Sequence, residues 1–312
     1  MCAPVQASSP SGVSPSVFKD SLDILTALVT RCATQEGVQA TPLPRLHLIR
    51  YSQPSAPLHV LHEPALCLIV QGAKKVLLGN QLFHYDAAHC LIVSASLPVV
   101  GEILQGSPGE PYLCLRLDLD RDLLRELLAA AGACPAPGAA PSAGLTLQAV
   151  TPNLLDAFTR LVGLLDHPEE ISVLAPLFER EVLYRALQGG AATPMHQVIA
   201  GTGKALQITQ VMNRLKDTFT APYRLEALTQ EVHMSRTALH QHFKTMTGLT
   251  PLQYHKQLRL QEARRLMQGQ THTAEAAGHA VGYESASQFS REYRRLFGAS
   301  PRQDAAQQAT SP

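Results

Sequence analysis

The chain has 312 residues, 45% hydrophobic and 16% charged, enough for two domains with their own cores and unlike the composition of a disordered polymer. Its longest aliphatic run, Ala65 to Val70, falls far short of the ~18 residues of a membrane helix. The opening MCAPVQASSPSGVSPSV lacks the basic start and apolar centre of a secretory signal, so a cytoplasmic location is expected. The formal net charge of +1 hides an asymmetry, since residues 201–302 hold 14 Lys and Arg against 7 Asp and Glu. Only this third is basic, and a polyanionic partner is expected there.

Residues 1–17 are rich in Ser, Pro and Ala and read as a flexible tail. From Phe18 to Thr34 the apolar positions Leu22, Leu25, Leu28 and Val29, after the capping candidate Asp20, predict a helix. Beyond the Pro-rich turn at Thr41 to Pro44 the pattern changes to short β-type runs: LHLIRYS, LHVLHE, ALCLIVQG, KKVLLG, QLFHYD, HCLIVSAS, LPVVGEIL and YLCLRLDL. Gly79-Asn80 supplies a two-residue hairpin turn between two of them. Strands this short and closely spaced predict a small antiparallel barrel. DRDLLRELLAAAG then reads as a capped amphipathic helix, residues 133–144 as a low-complexity surface excursion, and 152–165 and 171–187 as two hydrophobic helices. The domain boundary is expected at Gln188 to Met195.

The last third contains one pattern written twice. SRTALHQHFKTMTGLTP, from Ser235, and SASQFSREYRRLFGASP, from Ser285, align at an offset of fifty residues: Leu239 meets Phe289, Phe243 meets Tyr293, Gly248 meets Gly298 and Pro251 meets Pro301. Each opens on a serine that can cap a helix, carries apolar residues at i and i+4, and closes on a glycine followed three residues later by a proline. A short helix precedes each copy, on Leu225, Leu228 and Val232 and on Ala274, Ala277 and Val281. The product is two helix-turn-helix units. PLQYHKQLRLQEARRLMQG, with Pro251 in its first turn and a stripe of Leu252, Leu260, Ala263, Leu266 and Met267, reads as the long helix between them. Recognition helices held one DNA turn apart, about 34 Å, can read successive major grooves.

These residues resemble the DNA-binding domain of the AraC/XylS family of bacterial transcription regulators. The resemblance rests on Met234-Ser235, Phe243-Lys244, Gly248 to Pro251, Arg259-Leu260, Ala263-Arg264, VGYES from Val281, FSRE from Phe289 and FGASP from Phe297, and covers about a third of the chain. Gln241 departs from the arginine, Thr229 from the alanine, and Ala274 and Ala277 from the isoleucines common in that pattern. LAPLFEREVLYRAL in the second middle helix resembles one subgroup's sensing half. The resemblance implies an α+β chain: an N-terminal cupin-like antiparallel β-barrel with flanking helices, and a C-terminal all-α domain with two helix-turn-helix units joined by a long helix. The expected division is a sensing and dimerisation domain at 18–190, a linker at 191–203, the DNA-binding domain at 204–303 and a tail at 304–312. It further implies double-stranded DNA, RNA polymerase and a small-molecule effector as partners, a homodimer through 152–187, and activation as the commoner mode. The effector and its site stay unassigned.

In the first recognition helix, Arg236, Thr237, His240, Gln241 and Lys244 lie off the packing stripe and are expected to face DNA. In the second these are Ser287, Gln288, Arg291, Arg294 and Arg295. Gln241 suits an adenine edge, Arg236 a guanine or a phosphate, Arg291 a base, and Arg294 and Arg295 phosphates. The barrel also admits an enzyme reading, because barrels of this shape host oxygenases that use two or three His and a carboxylate. His47, His59, His62, Glu63, His84 and His89 are available. Gly79 and His84 have the opening spacing of a cupin metal motif, but the expected H-x-H is replaced by His84, Tyr85, Asp86. No metal, no cofactor and no catalytic residue are therefore expected; a cupin-type metalloenzyme fused to a DNA-binding module is the alternative, and an effector-independent architectural DNA binder a further one. The six cysteines, Cys2, Cys32, Cys67, Cys90, Cys114 and Cys134, form no C-x-x-C and read as free thiols. Cys90, beside His89, is the candidate for a reactive one.

Overall fold

The computed structural model describes residues 15–132, 142–199, 203–268 and 272–309. Helix α1 (Pro15–Cys32) is followed by β1 (Gly37–Ala40), β2 (Leu46–Tyr51), β3 (Leu58–His62), β4 (Ala65–Gln71), β5 (Ala73–Leu78), β6 (Gln81–Asp86), β7 (His89–Val93), β8 (Leu97–Gln105) and β9 (Tyr112–Asp118). Then come α2 (Arg121–Ala130), β10 (Leu145–Ala149), α3 (Pro152–Gly163), α4 (Ile171–Ala186) and α5 (Ala192–Ile199). The last third holds α6 (Gly203–Asp217), α7 (Leu225–Glu231), α8 (Arg236–Thr247), α9 (Pro251–Gln268), α10 (Ala274–Ala280), α11 (Ala286–Phe297) and α12 (Pro301–Ala309).

The strands form a six-stranded sheet in the order β1-β2-β9-β4-β7-β10 and a four-stranded sheet in the order β3-β8-β5-β6, with every recorded pairing antiparallel. Alternation of side chains sends Cys67, Ile69, Val76, Leu91, Val99 and Cys114 into the space between the sheets. The opposite face of the larger sheet, with Leu66, Leu68, Cys90 and Leu115, packs on α1 to α5. β5 and β6 meet at Leu78 and Gln81 around Gly79 (φ 59) and Asn80, as the hairpin dipeptide predicts.

Several local expectations are corrected. α1 begins at Pro15, so Asp20 lies inside the helix and does not cap it. β1 and β10 are strands that the sequence reading did not include; β10 completes the larger sheet beside β7. The excursion at 133–144 lies outside the described residues up to 141, as do residues 1–14 of the expected tail. The linker expected at 191–203 is instead largely α5, whose Met195 and Val198 join Ala191 in the first core, reached through a bulged turn at Leu187–Ala191. The tail expected at 304–312 begins inside α12, because Asp304 is buried against Arg264 and Tyr293. On α9, Leu252 is 42% exposed; the buried stripe runs instead through Tyr254, His255, Leu258, Leu260, Ala263 and Met267.

The first helix-turn-helix shares its core with the barrel. Ile208, Met212, Leu239, Phe243, Met246 and Tyr254 belong to the same buried cluster as the inward side chains of both sheets. Hydrogen bonds cross the junction: Tyr254 Oη donates to the Ser96 carbonyl at 2.8 Å, Gly144 N to Met246 O at 2.8 Å, and Lys216 Nζ pairs with Glu63 at 2.5 Å. The second unit has a smaller core of its own, built on Ala277, Val281, Phe289 and Tyr293.

Candidate nucleic-acid interface

The two recognition helices, α8 and α11, are delimited by the same chemistry. Ser235 Oγ accepts from the Ala238 amide at 3.2 Å and Ser285 Oγ from the Gln288 amide at 3.3 Å, satisfying one otherwise unpaired donor in each first turn. At the other ends Gly248 (φ 69) and Gly298 (φ 80) take the left-handed conformation, and their amides donate to the carbonyls of Lys244 and Arg294. Leu239, Phe243 and Met246 turn inward from α8, and Phe289 and Tyr293 from α11.

That packing leaves the other face to solvent. Arg236, Thr237, Gln241 and Lys244 are exposed and His240 is half-buried; Ser287, Gln288, Arg291, Arg294 and Arg295 are all exposed. Arg236 pairs with Glu226 at 2.7 Å on the preceding helix, and Gln288 Nε2 donates to Glu292 at 3.3 Å. Among the described residues Lys244, Arg291, Arg294 and Arg295 make no recorded ion pair, which leaves four cations for an anionic partner.

A set of contacts that the sequence reading did not assign joins the two units across α9. The Arg259 guanidinium donates to the carbonyls of Phe219 (2.5 Å), Thr220 (3.0 Å) and Ala221 (2.8 Å) after α6, and to Gly282 (3.1 Å) in the turn of the second unit. Gly282 has φ 87, and a methyl group there would strike the Thr220 carbonyl. Lys256 pairs with Glu292 on α11 at 2.6 Å, and Tyr283 Oη donates to the same carboxylate at 2.8 Å. The motif that carries Arg259 was legible; its acceptors were not, because Phe219 to Ala221 lie 38 to 40 positions before it and Gly282 lies 23 after it. Burial, with the charge of Arg259 beside it, lowers His255 to about 4 and keeps it neutral.

The barrel interior gives the cysteines different characters. Cys90 faces the helix-covered core, fully buried, and burial pushes its thiol up to about 12. The reactive-thiol expectation for Cys90 is therefore corrected: no thiolate forms there near neutral pH. Cys67 and Cys114 point between the sheets, and both are buried. His62 Nε2 lies 3.6 Å from Cys67 Sγ. Among the other barrel histidines, His84 is exposed, His47 faces Asp118 at 3.3 Å and His89 faces Asp86 at 3.5 Å. Among the described residues no three His, Cys, Asp or Glu side chains converge as a metal site. No helix among them is long and apolar enough to cross a membrane.

Two further surfaces belong to the N-terminal half. An open cleft of about 360 Å³ lies between Val17, the start of α3 at Thr151 to Asn153, and Arg185, Gln188 and Gly189. On α4, Val173, Leu177 and Tyr184 are exposed, while Val182 and Leu183 are buried.

Comparison with known proteins agrees with this division. Residues 42–193 match the family model described as the AraC-type transcriptional regulator N-terminus, and residues 228–307 a helix-turn-helix domain model. The HTH-type transcriptional activator RhaS of Salmonella paratyphi A is 30% identical over 154 residues, 49% of this chain and 55% of that protein. The match thus spans about half the length of these curated relatives. Among solved structures, ToxT from Vibrio cholerae superposes with a TM-score of 0.57 at 12% identity, covering 84% of this chain and 97% of that one. ToxT bound to (E)-4-(8-methylnaphthalen-1-yl)but-3-enoic acid gives 0.56 at 12% identity, covering 84% and 98%. At that identity the likeness concerns the fold alone. With its barrel and its doubled helix-turn-helix matched in order along the sequence, the chain belongs to the AraC/XylS family of transcription regulators.

Proposed function

We propose that this chain is a sequence-specific, double-stranded DNA-binding regulator of transcription, controlled by a small-molecule effector and acting from the cytoplasm. One observation carries the reading: two serine-capped helices, each with an exposed polar and basic face, are joined by a helix whose Arg259 ties both units together. Two recognition elements with a fixed separation suit two adjacent major grooves. Gln241 and Arg291 read bases, Lys244, Arg294 and Arg295 neutralise phosphates, and Arg236, Thr237, His240, Ser287 and Gln288 complete the contact faces.

The N-terminal half supplies effector sensing and, through 152–187, the contact between two copies. The exposed Val173, Leu177 and Tyr184 of α4 support that face as the dimer surface. ToxT structures hold an unsaturated fatty acid or a naphthyl butenoic acid; a small organic molecule is the corresponding class here. Activation, through contact with RNA polymerase, is the mode we propose, following the activator RhaS. The chain performs no catalysis in this reading.

The test is to map the genomic fragments that the purified protein retains and then titrate one of them against random duplex. Gln241→Ala and Arg291→Ala should each cost about 1–3 kcal/mol on the retained fragment and little on random DNA. Equal losses on both would demote the two residues to phosphate contacts, and no preference for any duplex at any salt concentration would end the proposal.

A further inference from the structure

We propose that Arg259 is a positioning residue that sets the angle between the two recognition helices, and through it the separation of half-sites that this protein accepts on DNA. The consequence for DNA rests on the function proposed above; the rigidity itself does not. Each recognition helix is held to α9 by apolar packing. Leu239 and Phe243 of α8 share a core with Tyr254 and Leu258, and Phe289 and Tyr293 of α11 share one with Leu260, Ala263 and Met267. Such packing is non-directional, so it fixes distance better than rotation.

Direction is supplied by Arg259, midway along α9. All four of its acceptors are backbone carbonyls, those of Phe219, Thr220 and Ala221 in the first unit and that of Gly282 in the second. Carbonyls follow the path of the chain, so one planar guanidinium that grips both sets locks one path against the other. Phe219 itself packs against both cores. Gly282, at φ 87, lets its turn approach the Thr220 carbonyl so closely that no side chain fits between them. The guanidinium also lies over the Tyr283 ring, 5.7 Å from its centroid. Tyr283 Oη donates in turn to Glu292 on α11, whose other carboxylate oxygen accepts from Lys256, one turn before Arg259 on α9. A chain of contacts thus runs from the loop after α6, through Arg259, to the carboxylate next to Arg291.

Duplex geometry gives this lock a scale. Moving one half-site by a single base pair displaces it about 3.4 Å along the duplex and about 35° around it. Two helices locked together cannot follow that rotation. A loosened pair can follow it, at the cost of affinity for the correct spacing.

The experiment has one arm without DNA and one with it, both on the full chain. Nitroxides are attached through p-acetylphenylalanine at the exposed Thr245 of α8 and Ser290 of α11, so the native cysteines stay unlabelled. Double electron–electron resonance should give a narrow distance distribution in the parent and one at least about twofold wider in Arg259→Lys, because an ammonium cannot hold four carbonyls at once. Gly282→Ala, which pushes the Thr220 carbonyl away, should broaden it independently. A broad distribution in the parent, or equal widths in parent and variants of unchanged circular dichroism spectrum, would overturn the proposal. In the second arm a retained genomic fragment is offered with its half-sites one base pair closer, unchanged, or one further apart. The parent should prefer the unchanged spacing at least about tenfold, and Arg259→Lys should reduce that preference to within about threefold. A variant that is merely destabilised would lose affinity at all three spacings alike and keep the parent's ratio; that result would also overturn the proposal. Absence of binding to every duplex would end the DNA-binding function and the half-site consequence with it, while the distance measurement still decides whether Arg259 fixes the helices.

Discussion

Asp304 shows how one residue outside a readable pattern can hold a unit together. Its carboxylate takes two hydrogen bonds from Arg264, at 2.8 and 2.9 Å, and a third from Tyr293 Oη at 2.6 Å, in a nearly dry setting. Removing one partner of such a group strands the others, so Asp304→Ala should destabilise the second helix-turn-helix by about 3 kcal/mol in urea unfolding. A cost below about 1 kcal/mol would mean that solvent already screens the cluster. His62 makes a prediction of a different kind. Its pKa is about 4 in the fold, against about 6.5 in an unfolded chain, so the unfolded state takes up the proton first as pH falls. Its stabilising contribution is complete above about pH 6.5 and is lost progressively toward pH 4, up to about 2–3 kcal/mol. His62→Gln should flatten the urea midpoint between pH 6.5 and 5; an unaltered slope would show that the imidazole is solvated.

At the scale of elements, the two copies of the repeat are alike in their caps and unlike in what their ends touch. Gly248 and Gly298 occupy the same position and the same left-handed conformation, yet a methyl group on Gly298 meets nothing within 4 Å, whereas on Gly248 it lies 2.9 Å from the Leu78 carbonyl. Gly298→Ala should therefore cost only the backbone penalty, about 1–2 kcal/mol. Gly248→Ala should cost more, because the β5–β6 hairpin must move away. Unfolding midpoints of the two variants check this, and equal losses would show that the hairpin does not press on α8. The caps, the i and i+4 stripe and the terminating glycine were all readable because each acts within one or two turns of its own helix. β10 was not: LTLQA follows a Pro- and Ala-rich stretch, and its partner β7 lies about fifty residues earlier. α12 was missed for a related reason, since PRQDAAQQA has no apolar stripe and is held by Arg264, forty positions away.

The whole molecule is divided by its cores rather than by its sequence boundary. The first helix-turn-helix shares buried side chains with the barrel, while the second relies on a smaller cluster, so the two should open with different free energies. Hydrogen exchange followed by mass spectrometry should show α10 to α12 exchanging before α6 and α8, with α8 protected to the level of the barrel strands. Equal protection of α8 and α11 would mean that the two units open together. The sequence alone determined that there are two helix-turn-helix units, that a β-rich half precedes them and that the basic charge lies with the former, because capping, periodicity and composition are properties of short stretches. Only the tertiary structure decided that α8 belongs to the barrel's core, that Arg259 ties one unit to the next and that Cys67 and Cys114 face the space between the sheets while Cys90 faces away. Those outcomes depend on strand register and on which faces meet across tens to more than a hundred residues, and no local pattern encodes them.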